Sequence, residues 1–150
     1  GRAGGASAGA CQARGEQPAG RMGWGQPGTE YGWPEATDPN GGPVRIDEVG
    51  PPTLRRARKF FVPPDAAIDG VTLKRKPSGV WLRMSWASAE LPYFGLWVDE
   101  GALSHTSVVA PEPMTGYYDS LDVAWRNGLV STIAPGLTQS WTLTIQVGGG

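Results

Sequence analysis

Apolar and polar residues alternate with a period of two over several short runs of this chain. In VWLRMSW, Val80, Leu82, Met84 and Trp86 fall on one side and Trp81, Arg83 and Ser85 on the other, the pattern of a half-buried strand. A turn-forming KPSG separates this run from VTLKR, so the two predict a β-hairpin. YFGLWV and TSVVA predict a third and a fourth strand, and LVSTIAP a weaker one. SWTLTIQVG alternates most cleanly, with Trp141, Leu143, Ile145 and Val147 interleaved with Thr and Gln. LDVAWRNG is compatible with a helical turn ending at Gly128. Short strands joined by turns, with no long amphipathic helix and no internal repeat, predict an all-β fold: an antiparallel β-sandwich or barrel.

The chain upstream has a different character. Residues 1–21 are rich in Gly and Ala, lack periodicity and bury too little apolar surface to offset their ordering entropy, which predicts a disordered tail before a domain over 22–150. Met22 to Gly50 keeps the Gly, Pro, Asp and Asn but adds aromatic residues, and reads as a long loop of the kind that often carries function. The sandwich is small, with about 90 residues of strand and loop and a marginal core. Seven Trp bring much apolar area, some of it available as surface platforms.

Charge and cysteine content narrow the function classes. A net charge near −1 and a pI near 5.8 give no footprint for nucleic acid or an anionic membrane. No apolar run approaches the ~18 residues of a membrane span, and the opening residues lack the apolar core of a secretory signal. Cys11 stands alone, which excludes an internal disulfide, makes a Cys-based metal site implausible and allows a reducing compartment. The expectation is a cytoplasmic protein.

The chemistry-bearing stretch is VVAPEPMTGYYDSL, where Glu112 stands between Pro111 and Pro113. Proline locks its own φ and presses the preceding residue into the extended region, so Pro113 restricts Glu112 directly. A solvated Glu needs no such holding. Either the carboxylate is positioned for chemistry, or a strand ends there in a Pro-rich loop.

The order of LPYFGLWVDEG, VVAPEPMTGYYDSL, Ala124, the APG of Ala134 to Gly136, and SWTLTIQVG resembles the C-terminal half of the aldose 1-epimerases, the galactose mutarotase-like proteins. GWPEATDPNGG, upstream, looks like the Trp-Pro loop of bacterial members, so the likeness spans about Trp24 to Gly148. It implies that the sandwich is part of a mutarotase-like supersandwich whose concave face holds a free hexose such as galactose or glucose. In that family a Glu takes the anomeric hydroxyl proton while a His protonates the ring oxygen. The ring opens, C1 rotates, and reclosure gives the other anomer, without cofactor or metal. Glu112 matches the base by motif, and its stiff backbone then makes sense as preorganisation.

The family's histidines belong to a half this chain does not match, and His105, in the loop SHTS, matches none of them. The expectation is a protein of isomerase lineage with little or no mutarotase activity as this chain alone. The alternatives are a non-catalytic carbohydrate-binding β-sandwich and a structural β-domain that binds no sugar. Trp97 fits either a core position or a platform under a pyranose. Trp33 either lines the cleft or packs within its loop. Asp119 reads as a turn or cap residue, and the basic run LRRARKF as a solvated strand or loop edge rather than a phosphate site. The expected partner is a free sugar, with neither nucleic acid nor membrane.

Overall fold

The computed structural model describes residues 11–13 and 29–149. Among the described residues, ten strands and one α-helix follow in chain order: β1 (Cys11–Ala13), β2 (Thr29–Tyr31), β3 (Glu35–Thr37), β4 (Pro43–Arg45), β5 (Arg56–Phe61), β6 (Gly70–Lys74), β7 (Trp81–Ser85), β8 (Tyr93–Glu100), β9 (Ser107–Met114), α1 (Leu121–Arg126) and β10 (Thr144–Gly148), with a 3-10 turn at Pro52–Leu54 before β5. All strand pairs are antiparallel. They form a five-stranded sheet of order β2-β1-β5-β8-β9, a three-stranded sheet β10-β7-β6, and the small hairpin β3-β4. The all-β, sandwich-like expectation holds. Among the described residues no helix is long and apolar enough to cross a membrane.

Opposed residues of an antiparallel pair share a face, so the register assigns each face of the large sheet. One face carries Phe60, Phe94, Leu96, Val98 and Val109. There Phe94, Leu96 and Val98 join Trp86 and Leu91 in a buried cluster, against which Val71 and Met84 of the second sheet pack. The Trp86 ring stacks on Phe94, with centroids 5.5 Å apart, and its indole N–H donates to the Leu91 carbonyl at 3.2 Å, so its one polar atom is satisfied. A second cluster joins Tyr31, Ile46 and Phe60. The other face carries Lys59, Phe61, Tyr93, Gly95, Trp97, Glu112 and Met114.

The β8–β9 hairpin is tied at its loop. Asp99, almost fully buried, accepts hydrogen bonds from the backbone N–H of Ala102 at 2.7 Å and of Ser104 at 2.8 Å. Burial pushes its pKa up, but these backbone donors outweigh that and leave the carboxyl below its ordinary value. Gly101 turns the chain with φ +90, and a Cβ there would stand 1.9 Å from the Pro52 carbonyl oxygen, so only glycine fits.

The structure departs from the sequence reading in several places. SWTLTIQVG is strand only over Thr144–Gly148, with its apolar residues exposed. LRRARKF is not a solvated edge. All of it from Arg56 onward lies in β5, an interior strand, with Arg58 only 2 % exposed. TSVVA does not stop before the prolines, because β9 runs through both of them to Met114. LVSTIAP contributes only a bridge between Val130 and Gly116. Part of the Met22–Gly50 loop is β2, β3 and β4. Within the expected disordered tail, Cys11–Ala13 pair with β2 and Gln12 pairs with Phe61 of β5, while the rest of residues 1–21 lies outside the described residues, as does Trp24. The helical turn is present as α1, capped by the Ser120 hydroxyl, which accepts from the Val123 N–H, and followed by Gly128 at φ +67.

Candidate functional site

Glu112 lies inside β9, opposite Gly95 of β8, on the face turned away from the main core. Pro111 and Pro113 sit at places where no N–H is needed. The Val62 N–H donates to the Phe94 carbonyl at 3.0 Å, so the Phe94 backbone serves β5 and that of Gly95 serves β9. Glu112 is thus in the hydrogen-bonded pair, and its flanking prolines are in the pairs whose β9 nitrogen points off the open edge of the sheet.

The Lys59 ammonium pairs with the Glu112 carboxylate and also lies 3.2 Å from Asp119 Oδ1. Lys59 comes from β5, two strands away, and its Cε lies where a Gly95 side chain would begin: a Cβ on Gly95 would meet it at 3.3 Å. The ammonium also stands 5.5 Å from the centre of the Phe61 ring, within cation–π range. Lys59 is largely buried, with 15 % of its side chain exposed, against 34 % for Glu112 and 54 % for Asp119. The stem is held in the sheet while the carboxylates face outward.

Asp119 reaches this cluster through an unusual backbone. Tyr118 has φ +80, a costly conformation for a bulky residue. Its ring packs at 5.8 Å from Phe61 and 4.0 Å from Tyr117, and the Tyr117 N–H donates to the Leu129 carbonyl at 2.8 Å. These contacts over-determine the turn that delivers Asp119 to Lys59. Beside it a cavity of about 380 Å³ opens between Met114, Tyr118, Asp119 and Trp141.

Of the residues singled out from sequence, Trp97 shares the Glu112 face. It stands opposite both Lys59 and Ala110 and is partly buried. Trp33 does not join them, because its side chain packs against both buried clusters on the other side of the sheet. His105 is exposed in the β8–β9 loop. From Ser107 to Glu112 is five residues of strand, roughly 16 Å, so the imidazole is remote from the carboxylate. Sequence reasoning missed Lys59 and undervalued Asp119. The signal for Lys59 was present in the alternation of RARKFF, which puts Ala57, Lys59 and Phe61 on one face. Nothing local announced Asp119.

Chemically, the face offers a part-buried carboxylate, a shared ammonium, a second carboxylate and an indole. No family model, no curated protein and no solved structure matches the chain.

Proposed function

We propose that this chain is an aldose 1-epimerase-like protein whose β5–β8–β9 face binds a free hexose, with Glu112 as the group that accepts the anomeric proton. The observation that supports this reading most is the placement of Glu112: a mid-strand position on the outer strand β9, stiffened by two prolines and sharing its face with Trp97 and the Lys59–Asp119 pair. Carboxylates and an ammonium are the hydrogen-bonding groups that a ring of hydroxyls takes, and an indole suits the apolar face of a pyranose. A general base must stand within hydrogen-bond reach of the proton it removes, and a strand holds a side chain more closely than a loop does.

Ring opening needs a second group to protonate the ring oxygen. His105 is too far away to serve, and the resemblance assigns that role to a residue outside the half it covers. The chain alone therefore binds sugar but interconverts anomers poorly, since the missing acid costs about 10²–10⁴ in rate.

Calorimetric titration with galactose and glucose tests the reading, with polarimetry of freshly dissolved α-anomer alongside. Saturable binding lost in both Glu112→Gln and Trp97→Ala supports it. Binding that survives Glu112→Gln but not Trp97→Ala turns the site into a non-catalytic saccharide platform. A flat titration with both sugars overturns both readings.

A further inference from the structure

The sheet edges left open among the described residues are treated unequally by the sequence. β9, the outer strand of the large sheet, carries Pro111 and Pro113 on its open side. β6, one edge of the three-stranded sheet, leads into the cationic run Lys74-Arg75-Lys76. Prolines and lysines are the devices that keep edge strands from pairing with another chain. β10, the other edge of that sheet, has neither: from Gln139 to Gly149 there is no charged residue and no proline.

The hydrogen-bond pattern shows which groups this edge presents. The Trp86 N–H donates to the Asp69 carbonyl at 3.0 Å, and the Arg75 N–H donates to the Val80 carbonyl at 2.8 Å. Even-numbered residues of this run therefore serve β6, and odd-numbered ones serve β10. Ser85, Arg83 and Trp81 pair with Thr144, Gln146 and Gly148, so the N–H and C=O of Ile145 and Val147 point off the open edge. Their side chains are exposed as well, at 56 % and 70 %, and the same stripe continues through Leu143 and Trp141, at 42 % and 51 %.

We propose that β10 pairs antiparallel with β10 of a second copy, around a two-fold axis at Ile145. This register sets Ile145 against its symmetry mate and Leu143 against Val147, and joins the outward N–H and C=O groups as hydrogen-bonded pairs. Opposed residues share a face, so the two apolar stripes merge into one. The strand is uncharged, so no like charges are brought together. A two-fold contact of this kind closes on itself and makes a dimer rather than a fibre. Roughly a few hundred Å² is buried per copy, below the ~1,200 Å² total of stable interfaces, so the dimer is weak and concentration-dependent.

Sedimentation velocity of the 150-residue chain from about 5 to 500 μM is the test, with near-UV circular dichroism to confirm folding. The wild-type mass should rise from 15.9 kDa towards twice that value. Ile145→Lys puts like charges on the two-fold axis, and Val147→Pro removes an outward N–H as the β9 prolines do. Each should weaken dimerisation at least tenfold while leaving the fold intact. A wild-type chain that stays monomeric throughout overturns the proposal. So does a dimer indifferent to both substitutions, because its interface then lies elsewhere.

Discussion

Lys59 and Glu112 belong to strands that do not pair, β5 and β9, and their ion pair bridges β8 over Gly95. The bridge depends on what is absent. Trp97 and Tyr93, the neighbours of Gly95 on the same face, are both aromatic, and either side chain at position 95 would fill the space that the lysine stem crosses. The pairing is therefore a property of three strands in register rather than of any one segment.

Substitution at Gly95 tests this arrangement. A Cβ meets the ends of Lys59 and Met114 at 3.3 Å and of Phe61 at 3.4 Å, all side-chain atoms that must give way. Gly95→Val adds two further methyls and should destabilise the fold by about 1–3 kcal/mol, as overpacking does. Equilibrium urea unfolding measures the change. An unchanged midpoint would mean that Lys59 does not lie over β8.

The strands with clean alternation were legible as strands, and so was the helical turn, because local pattern and local capping specify them. SWTLTIQVG, however, is strand only over Thr144–Gly148, and its apolar positions stand exposed rather than half-buried. Two parts of the site were not. β5 was hidden because its basic residues resemble a solvent face. Arg58 is instead buried against Glu100, with Nη2 2.9 Å from Oε1, and a partner 42 positions away leaves no mark in either local sequence. Asp119 was read as a turn residue, which it is. That its turn meets Lys59 depends on the long-range packing of Tyr117 and Tyr118 on Phe61. Trp33 shows the reverse case: an aromatic in a Gly- and Pro-rich loop looks available for a ligand, yet the fold uses it to cover both buried clusters.

The Glu100 network gives the fold a directional response to pH. Glu100 is fully buried and accepts from Arg56, from Arg58 and, at 2.6 Å, from the Gly50 N–H. Burial pushes its pKa up, but the Arg56 hydrogen bond, the Gly50 N–H and the charge of Arg58 outweigh burial and leave it below the ordinary value. Asp99 is lowered as well, by backbone donors. Both carboxyls are depressed in the folded chain, so their stabilisation is present above the unfolded-state values near 4 and is lost as pH falls through the folded ones. Urea midpoints should hold steady from pH 7 to about 5 and decline below it. Glu100→Gln leaves Arg58 buried without its carboxylate and should cost about 3–5 kcal/mol at pH 7. The same variant should also flatten the acid decline. A variant as stable as wild type at pH 7, or one with the full acid slope, would show that the network does not carry this response.

The prolines around Glu112 serve the edge of the sheet as well as the carboxylate. Their nitrogens occupy positions where an N–H would point off β9, so replacing them breaks no ladder hydrogen bond. Pro111→Thr with Pro113→Thr should therefore cost each folded chain little, about 0.4–1 kcal/mol per site from the greater freedom of the unfolded chain. What changes is the edge. Two new outward N–H groups complete a pairing surface along β9, and Thr favours the strand at both positions. The double variant should show a urea midpoint close to wild type at low concentration, together with faster growth of light scattering at high concentration. If the unfolding free energy drops by several kcal/mol instead, the prolines hold the strand itself. If neither quantity moves, the edge is already shielded, and the stiffness around Glu112 belongs to the carboxylate alone.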